Sequence, residues 1–442
     1  MITKARLNRA AWSIKNEGPL VFTKKFVRFI PWAIGRTHVK YSKYLPAPLR
    51  ADAGKYNSDF LYLSNPIFNI TSEDLRLSLE AQKQSKPDEI KSATWFVPYF
   101  DHLTFGGIYT IFRFINHFAE QGVANHIVIY DNPQVNGTKM QAEIARHFPH
   151  LANAMLTVYD PREDSIHDLP PSDIAICTFW VSAYFLLRFN QTKRKYYFIQ
   201  DYEPLFYEGG STYALAESTY RFGFEGIVNT PGLLRAINQR HGMQGISFTP
   251  AVDPKYYYAP KEKNNERLRV FFYARPNNPR NAFNLGILII KILLKKYGKQ
   301  IEIVTAGSHW KESKFDLRRE ITNLGLLKSL QDVGDLYRSC DIGFVYMLSK
   351  HPSYQPFEFM ATGVATVTNN NEDNLWFLKD GTNCLIAEPS PAAMAEKIGW
   401  LIEDEKLRQK IQKGGYETVS TDWQPQLELI WNDITKSTKK YS

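Results

Sequence analysis

Two rhythms alternate along most of this chain. Short apolar runs rich in β-branched and aromatic residues are followed by stretches in which apolar residues recur every three or four positions, the signature of buried strands feeding amphipathic helices. In the first series the pattern predicts strands over 94–100, 126–131, 173–179 and 196–201, with 226–229 and 247–250 completing it, and helices over 108–121 and 139–148. Residues 51–90 are polar and irregular apart from a helical spacing at 72–84. From 253 to 268 the periodicity is lost in a run with two prolines and clustered charges, which predicts a linker. A second series then predicts strands over 269–275, 301–306, 341–347, 365–368 and 384–387, and helices over 284–297, 314–324, 391–403 and 423–435. Strand–helix alternation of this kind builds doubly wound parallel sheets. The expected organisation is an extension at 1–90, an α/β domain at 91–255, a second at 256–420 and a final helix at 421–442 packing back on the first domain, with the carboxyl edges of both sheets facing one cleft.

The stretch from His351 to Gly363 is the sharpest local signal. It leaves a strand, breaks at Pro352 and Pro356, runs as a short helix and stops at Gly363 before another β-branched run. Pro356 suits a first helical turn and Gly363 the left-handed residue after a helix. Glu358 would sit near the helix amino end, where unpaired N–H groups and the positive dipole end can hold a phosphate while a carboxylate accepts hydrogen bonds from a sugar diol. A helix start with a capping acid reads the same residues equally well.

Charge changes the picture at one end. Residues 1–50 hold eleven Lys or Arg and a single acid, Glu17, so the net charge of +9 belongs to this leader and the rest of the chain is close to neutral. Trp12, Phe22, Phe26 and Trp32 interleave with its cations, as in a helix lying on an anionic membrane surface; a helical hairpin packed on the body with a basic face is the alternative. No apolar run is long enough to span a membrane. A near-neutral body gives no basis for a nucleic-acid partner. Cys177, Cys340 and Cys384 lie apart in or beside apolar runs and read as buried free thiols without metal spacing.

Candidate chemistry collects at predicted strand ends. Gly106-Gly107 opens a helix after the first strand and would let backbone approach a ligand, or simply make a tight turn. Asp101-His102 just before it is a candidate acid/base pair. In Gln200-Asp201-Tyr202-Glu203-Pro204, Asp201 could orient a sugar hydroxyl or assist an acceptor, and Tyr202 could stack on a base or sugar. Arg275 and Arg280 flank a Pro-Asn turn and could converge on a diphosphate with guanidinium forks. No Asp-x-Asp pair occurs in the chain, so a metal-held donor is not expected and no metal site is assigned.

Together, Phe198-Ile-Gln-Asp-Tyr-Glu-Pro204, Tyr273-Ala-Arg275 and His351-Pro-Ser-Tyr-Gln-Pro-Phe-Glu358 through Gly363 resemble the retaining GT-B glycosyltransferases of family 4. The stretch is most similar to bacterial rhamnosyltransferases that build rhamnan-type surface polysaccharide from dTDP-L-rhamnose, over about residues 92–435. The resemblance implies a GT-B fold of two Rossmann-like domains and transfer of a sugar, L-rhamnose, from a nucleoside diphosphate donor to a polysaccharide or lipid-linked glycan. It implies no cofactor beyond that donor. Carried over residue by residue, it gives Gly106 and Gly107 close to the donor or acceptor, Gln200, Asp201 and Tyr202 by the transferred sugar, Arg275 and Arg280 on the diphosphate, and Tyr354 and Glu358 on the donor, with Glu358 at the ribose hydroxyls. Cytoplasmic assembly of lipid-linked glycan, with the basic leader on the membrane face, follows from the same likeness. One position departs: where the family has a second glutamate eight residues before Glu358, this chain has Lys350. That leaves two other readings open, a non-catalytic sugar-nucleotide or glycan-binding scaffold and a GT-B-like nucleotide-sugar epimerase.

Overall fold

The computed structural model describes residues 66–83, 87, 89–103, 106–161, 163–263, 265–317 and 320–436. The basic leader and its membrane-facing reading lie outside these residues. Helix α1 (Ser72–Lys83) precedes the first sheet, whose strands are β1 (Ser92–Val97), β2 (Ala124–Ile129), β3 (Met155–Val158), β4 (Ser172–Cys177), β5 (Thr192–Ile199), β6 (Glu225–Asn229) and β7 (Gly245–Phe248). Its helices are α2 (Gly106–Glu120), α3 (Gly137–His147), α4 (Trp180–Arg188), α5 (Ser211–Ser218) and α6 (Pro231–His241). The second sheet holds β8 (Leu268–Ala274), β9 (Ile301–Gly307), β10 (Ile321–Asn323), β11 (Ile342–Val345), β12 (Ala365–Asn369) and β13 (Leu385–Ala387), with α7 (Phe283–Tyr297), α8 (Leu330–Arg338), α9 (Tyr354–Ala361), α10 (Pro391–Glu403), α11 (Glu405–Thr418) and α12 (Gln424–Thr435).

The first sheet runs β3-β2-β1-β4-β5-β6-β7 and the second β10-β9-β8-β11-β12-β13, and the pairings in both are parallel. The central strands are buried on both faces, which is why they read as continuous apolar runs rather than as alternation. In each sheet the winding reverses direction once, between β1 and β4 and between β8 and β11. Loops on either side of such a reversal splay apart and leave a crevice at the carboxyl edge, where ligands settle in folds of this type. Each domain has its own core: Trp95, Phe112, Phe114, Phe118 and Phe198 in the first, Phe272, Phe283, Ile290 and Phe344 in the second.

Helix α12 returns to the first domain. Leu427, Ile430 and Ile434 join that core, Trp431 meets Phe118 edge-on at 5.1 Å, and the Gln426 side chain accepts from the Thr249 N–H at 2.8 Å. Helix α1 also packs on the first domain: Ser78 Oγ donates to the Phe222 carbonyl at 3.1 Å, and the Gln82 amide bridges the Lys195 backbone. The three cysteines are free and buried. Among the described residues no helix is long and apolar enough to cross a membrane.

The helix expected over 314–324 does not form. A short 3-10 turn, Glu312–Phe315, ends at Asp316, whose backbone is left-handed (φ 57°), and Ile321–Asn323 goes on as edge strand β10 beside β9. The apolar spacing that suggested a helix comes from Phe315, packed on Phe283 and Trp310, and the buried Leu317. The β-branched Ile321 and Thr322 extend the sheet instead. Strand β3 and helices α4, α5, α6, α8 and α11 are additions to the expected list.

Candidate functional site

The cleft is assembled from the loops that follow β1, β5 and β6 on one side and β8 and β11 on the other. Asp201 stands two residues beyond β5 and is one of the points where the two domains meet. Its Oδ2 accepts from Arg280 Nη1, and its Oδ1 accepts from Ser349 Oγ and, at 2.7 Å, from the Tyr202 N–H. The carboxylate is largely shielded at 15% exposure, and burial raises its pKa while Arg280 and Ser349 oppose the rise. Arg280 is also held from below, its guanidinium 3.9 Å from the Phe206 ring centroid.

Helix α9 supplies the second bridge. Ser353 caps it by accepting from the Gln355 N–H, and Gly363 beyond its end has the left-handed φ of 67° that ends a helix cleanly. Tyr354, its first residue, reaches into the other domain: its hydroxyl lies 2.9 Å from Thr110 Oγ1 and accepts from Asn229 Nδ2 at 2.9 Å. Asn229 is aimed by an unusual backbone. The next residue, Thr230, sits at φ 94°, a costly conformation for a β-branched residue, held by the Thr230 N–H to Phe248 O bond (2.8 Å) and by the cap it makes to Leu233. Tyr354 also closes over Gly106, where an added Cβ would stand 3.8 Å from its ring.

Glu358 lies one turn further along α9, in a tyrosine-lined recess. Burial pushes its carboxyl up to about 7, with the Tyr257 and Tyr337 hydroxyls pulling it part of the way back. Tyr273 connects this recess to Arg275: the guanidinium lies 5.8 Å from its ring centroid, and its hydroxyl, raised by burial, feels both Arg275 and Glu358. Arg275 itself is exposed at the mouth.

Several candidates therefore share one cleft: Asp201, Arg280, Tyr354, Gly106, and Gly107 with Gln200, whose Nε2 donates to the Gly107 carbonyl at 2.9 Å. Arg275 and Glu358 form the tyrosine-lined recess beside it. Asp101 and His102 are exposed on the loop after β1, where Asp101 accepts from the Tyr99 hydroxyl at 2.8 Å. Tyr202 turns inward. It is 1% exposed, stacked on Tyr220 and His241, and its hydroxyl meets His241 Nε2 at 2.8 Å, so its ring faces protein rather than the cleft.

Sequence reasoning gave no role to Ser349, Thr110 and Asn229, nor to Glu203 and His351 within the motifs that contain them. Glu203 is buried behind Asp201, accepting from the Trp180 N–H and the Tyr197 hydroxyl, both at 2.6 Å, and burial pushes its carboxyl up to about 8. His351 is buried, with Nε2 unpartnered among the described residues; burial and then Arg280 hold its pKa down to about 3, so it is neutral. Lys350, at the departing position, pairs with Asp373 at 2.7 Å. A signal for Ser349 and His351 was available, since they flank Lys350 and follow β11 as Arg275 follows β8, on the two sides of one winding reversal.

Residues 97–229 match the N-terminal domain and residues 268–399 the C-terminal domain of the family described as WsaF. The chain is 40% identical over 347 residues to the O-antigen biosynthesis protein RfbC of Myxococcus xanthus, covering 78% of this chain and spanning 27% of the length of that relative. Two solved structures share the fold. Sucrose-phosphate synthase from Thermosynechococcus elongatus superposes with a TM-score of 0.60 at 13% identity over 77% of this chain and 98% of its own. Anabaena Alr3699/HepE in complex with UDP and glucose superposes with a TM-score of 0.57 at 14% identity over 78% and 99%. The architecture is thus GT-B, two parallel-sheet Rossmann-like domains facing a cleft.

Proposed function

Because the chain belongs to the WsaF family through both of its domains, we propose that it is a glycosyltransferase of surface-polysaccharide assembly, moving a sugar from a nucleoside diphosphate donor to a glycan or lipid-linked acceptor. The observation that carries this reading is the meeting of Arg280 and Asp201 across the cleft, with Arg275 and Glu358 in the recess beside it. Guanidinium forks at a winding reversal match diphosphate oxygens, and a carboxylate deep in the recess matches a ribose diol. Likeness to RfbC supports a role in polysaccharide synthesis, and the UDP and glucose bound by HepE support a nucleotide-sugar donor.

In the finer reading the donor is dTDP-L-rhamnose and the anomeric configuration is retained. Leaving-group charge would be met by the two arginines, and stabilising that charge would be the largest catalytic contribution. Asp201 would face the acceptor hydroxyl. The Lys350–Asp373 pair gives the sugar end a charge-paired lysine in place of a free glutamate, consistent with a 6-deoxy sugar that presents a methyl group. The same pair is the observation favouring a non-catalytic binding scaffold.

A panel of nucleotide sugars tested by thermal unfolding separates these readings. The true donor, at 100 times its dissociation constant, should stabilise the protein by about 2.7 kcal/mol. A glycosyltransferase also releases nucleoside diphosphate when acceptor is supplied, whereas a scaffold is stabilised and releases none. Absence of stabilisation by every member of the panel would overturn both.

A further inference from the structure

Asp201 satisfies both of its carboxylate oxygens with side chains from the opposite domain, and the two donors it uses are the kind a phosphate needs. Arg280 offers an N–H of its planar fork and Ser349 a hydroxyl. Among the described residues Asp201 is the carboxylate partner of Arg280. Phe206 holds the guanidinium from below, and the Ser349 hydroxyl has one hydrogen to donate, so it cannot serve two anions at once. Two residues past Ser349, the buried His351 keeps Nε2 without a partner among the described residues, at the same end of the cleft.

We propose that Ser349, together with Arg280, binds the donor phosphates, and that Asp201 competes with those phosphates for both groups. The contact and the bound donor are then mutually exclusive. Donor binding trades the Asp201 carboxylate for a phosphate on Arg280 and Ser349 and releases Asp201 toward the acceptor. The order of addition follows: donor first, acceptor second, because the carboxylate that orients the acceptor is free only after the exchange. His351, neutral and adjacent, supplies a further donor to the incoming anion through an N–H tautomer. This inference rests on the reading of the cleft as a nucleotide-sugar site.

The opposing account makes the contact a tether that holds the cleft in its binding shape, and the two accounts differ in sign. Calorimetric titration of dTDP and UDP into the full chain decides between them. If the carboxylate competes, Asp201→Asn tightens binding of the preferred nucleotide by roughly fivefold, the scale of a partly exposed ion pair removed from competition, while sugar transfer falls. In an Arg280→Gln, Ser349→Ala background the same substitution leaves affinity unchanged, because both contested donors have gone. Asp201→Ser gives a second version of the test should the asparagine protein not fold. Weaker or unchanged binding by Asp201→Asn overturns the competition while leaving the nucleotide site standing. Failure of wild type and variants alike to bind either nucleotide removes the site and the inference with it.

Discussion

Two carboxyls, the half-buried Glu358 and the buried Glu203, carry the sharpest expectations at the scale of single residues. Glu358 has a pKa of about 7 against an ordinary 4.5, so the folded protein holds an extra proton between those values. Its contribution to stability therefore falls as pH rises through that window and is level above it. A ribose diol donates to an ionised carboxylate, so nucleotide binding should tighten as pH rises from about 6 to 8 and should release a proton near pH 7. Calorimetry in buffers of different ionisation enthalpy measures that proton; Glu358→Gln should abolish it, and an unchanged proton release would show that Glu358 is not the titrating group. Glu203 asks for a stability measurement instead. Glu203→Ala removes a buried acceptor from the Trp180 N–H and the Tyr197 hydroxyl and should cost roughly 2–4 kcal/mol by urea unfolding, whereas Glu203→Gln keeps an acceptor and should cost much less. Sequence singled out Asp201 and Glu358 because each stands where a strand–loop–helix unit exposes a side chain. Glu203, two positions from Asp201, was indistinguishable from it by sequence, since which of two nearby acids turns inward depends on the tyrosines packed behind.

At the scale of elements, α9 joins the Glu358 recess to the opposite domain. Tyr354→Phe removes the hydroxyl shared by Thr110 and Asn229 and leaves the fully buried Asn229 amide without that acceptor. The expected loss is about 1–2 kcal/mol in thermal unfolding, with a raised donor KM. Unchanged stability and KM would make the bridge incidental. The Pro356 and Gly363 signals placed this helix correctly, because helix starts and stops are local chemistry. The bridge itself was not legible: it joins residues far apart in sequence and depends on the strained turn at Thr230. The same limit explains the 314–324 segment, where apolar spacing alone could not tell a helix from a 3-10 turn followed by an edge strand. Helix α4 was missed for a related reason: it is buried on nearly all sides and so lacks a polar face to give it a period.

At the scale of the molecule, the alternating pattern specified two parallel sheets, and the sheet-winding rule then specified where the chemistry collects. Close approach of α6 to the facing domain needs a glycine that sequence gave no reason to notice. At Gly232, on the first turn of α6, an added Cβ would stand 1.9 Å from the Asp373 carbonyl oxygen of the facing domain. Gly232→Val should wedge the cleft open, raising the radius of gyration in small-angle scattering and cutting turnover by at least about tenfold, since a misplacement near 1 Å can cost more than that. Wild-type turnover in this variant would mean the interdomain fit is not needed for catalysis. The most direct test of the whole account is transfer of labelled sugar from dTDP-L-rhamnose to a lipid-linked glycan by the purified chain, run beside Glu358→Ala and Arg275→Ala. The account predicts labelled glycan and equimolar dTDP from wild type, with both variants strongly impaired; an intact donor with wild type, or equal product from all three proteins, would contradict it.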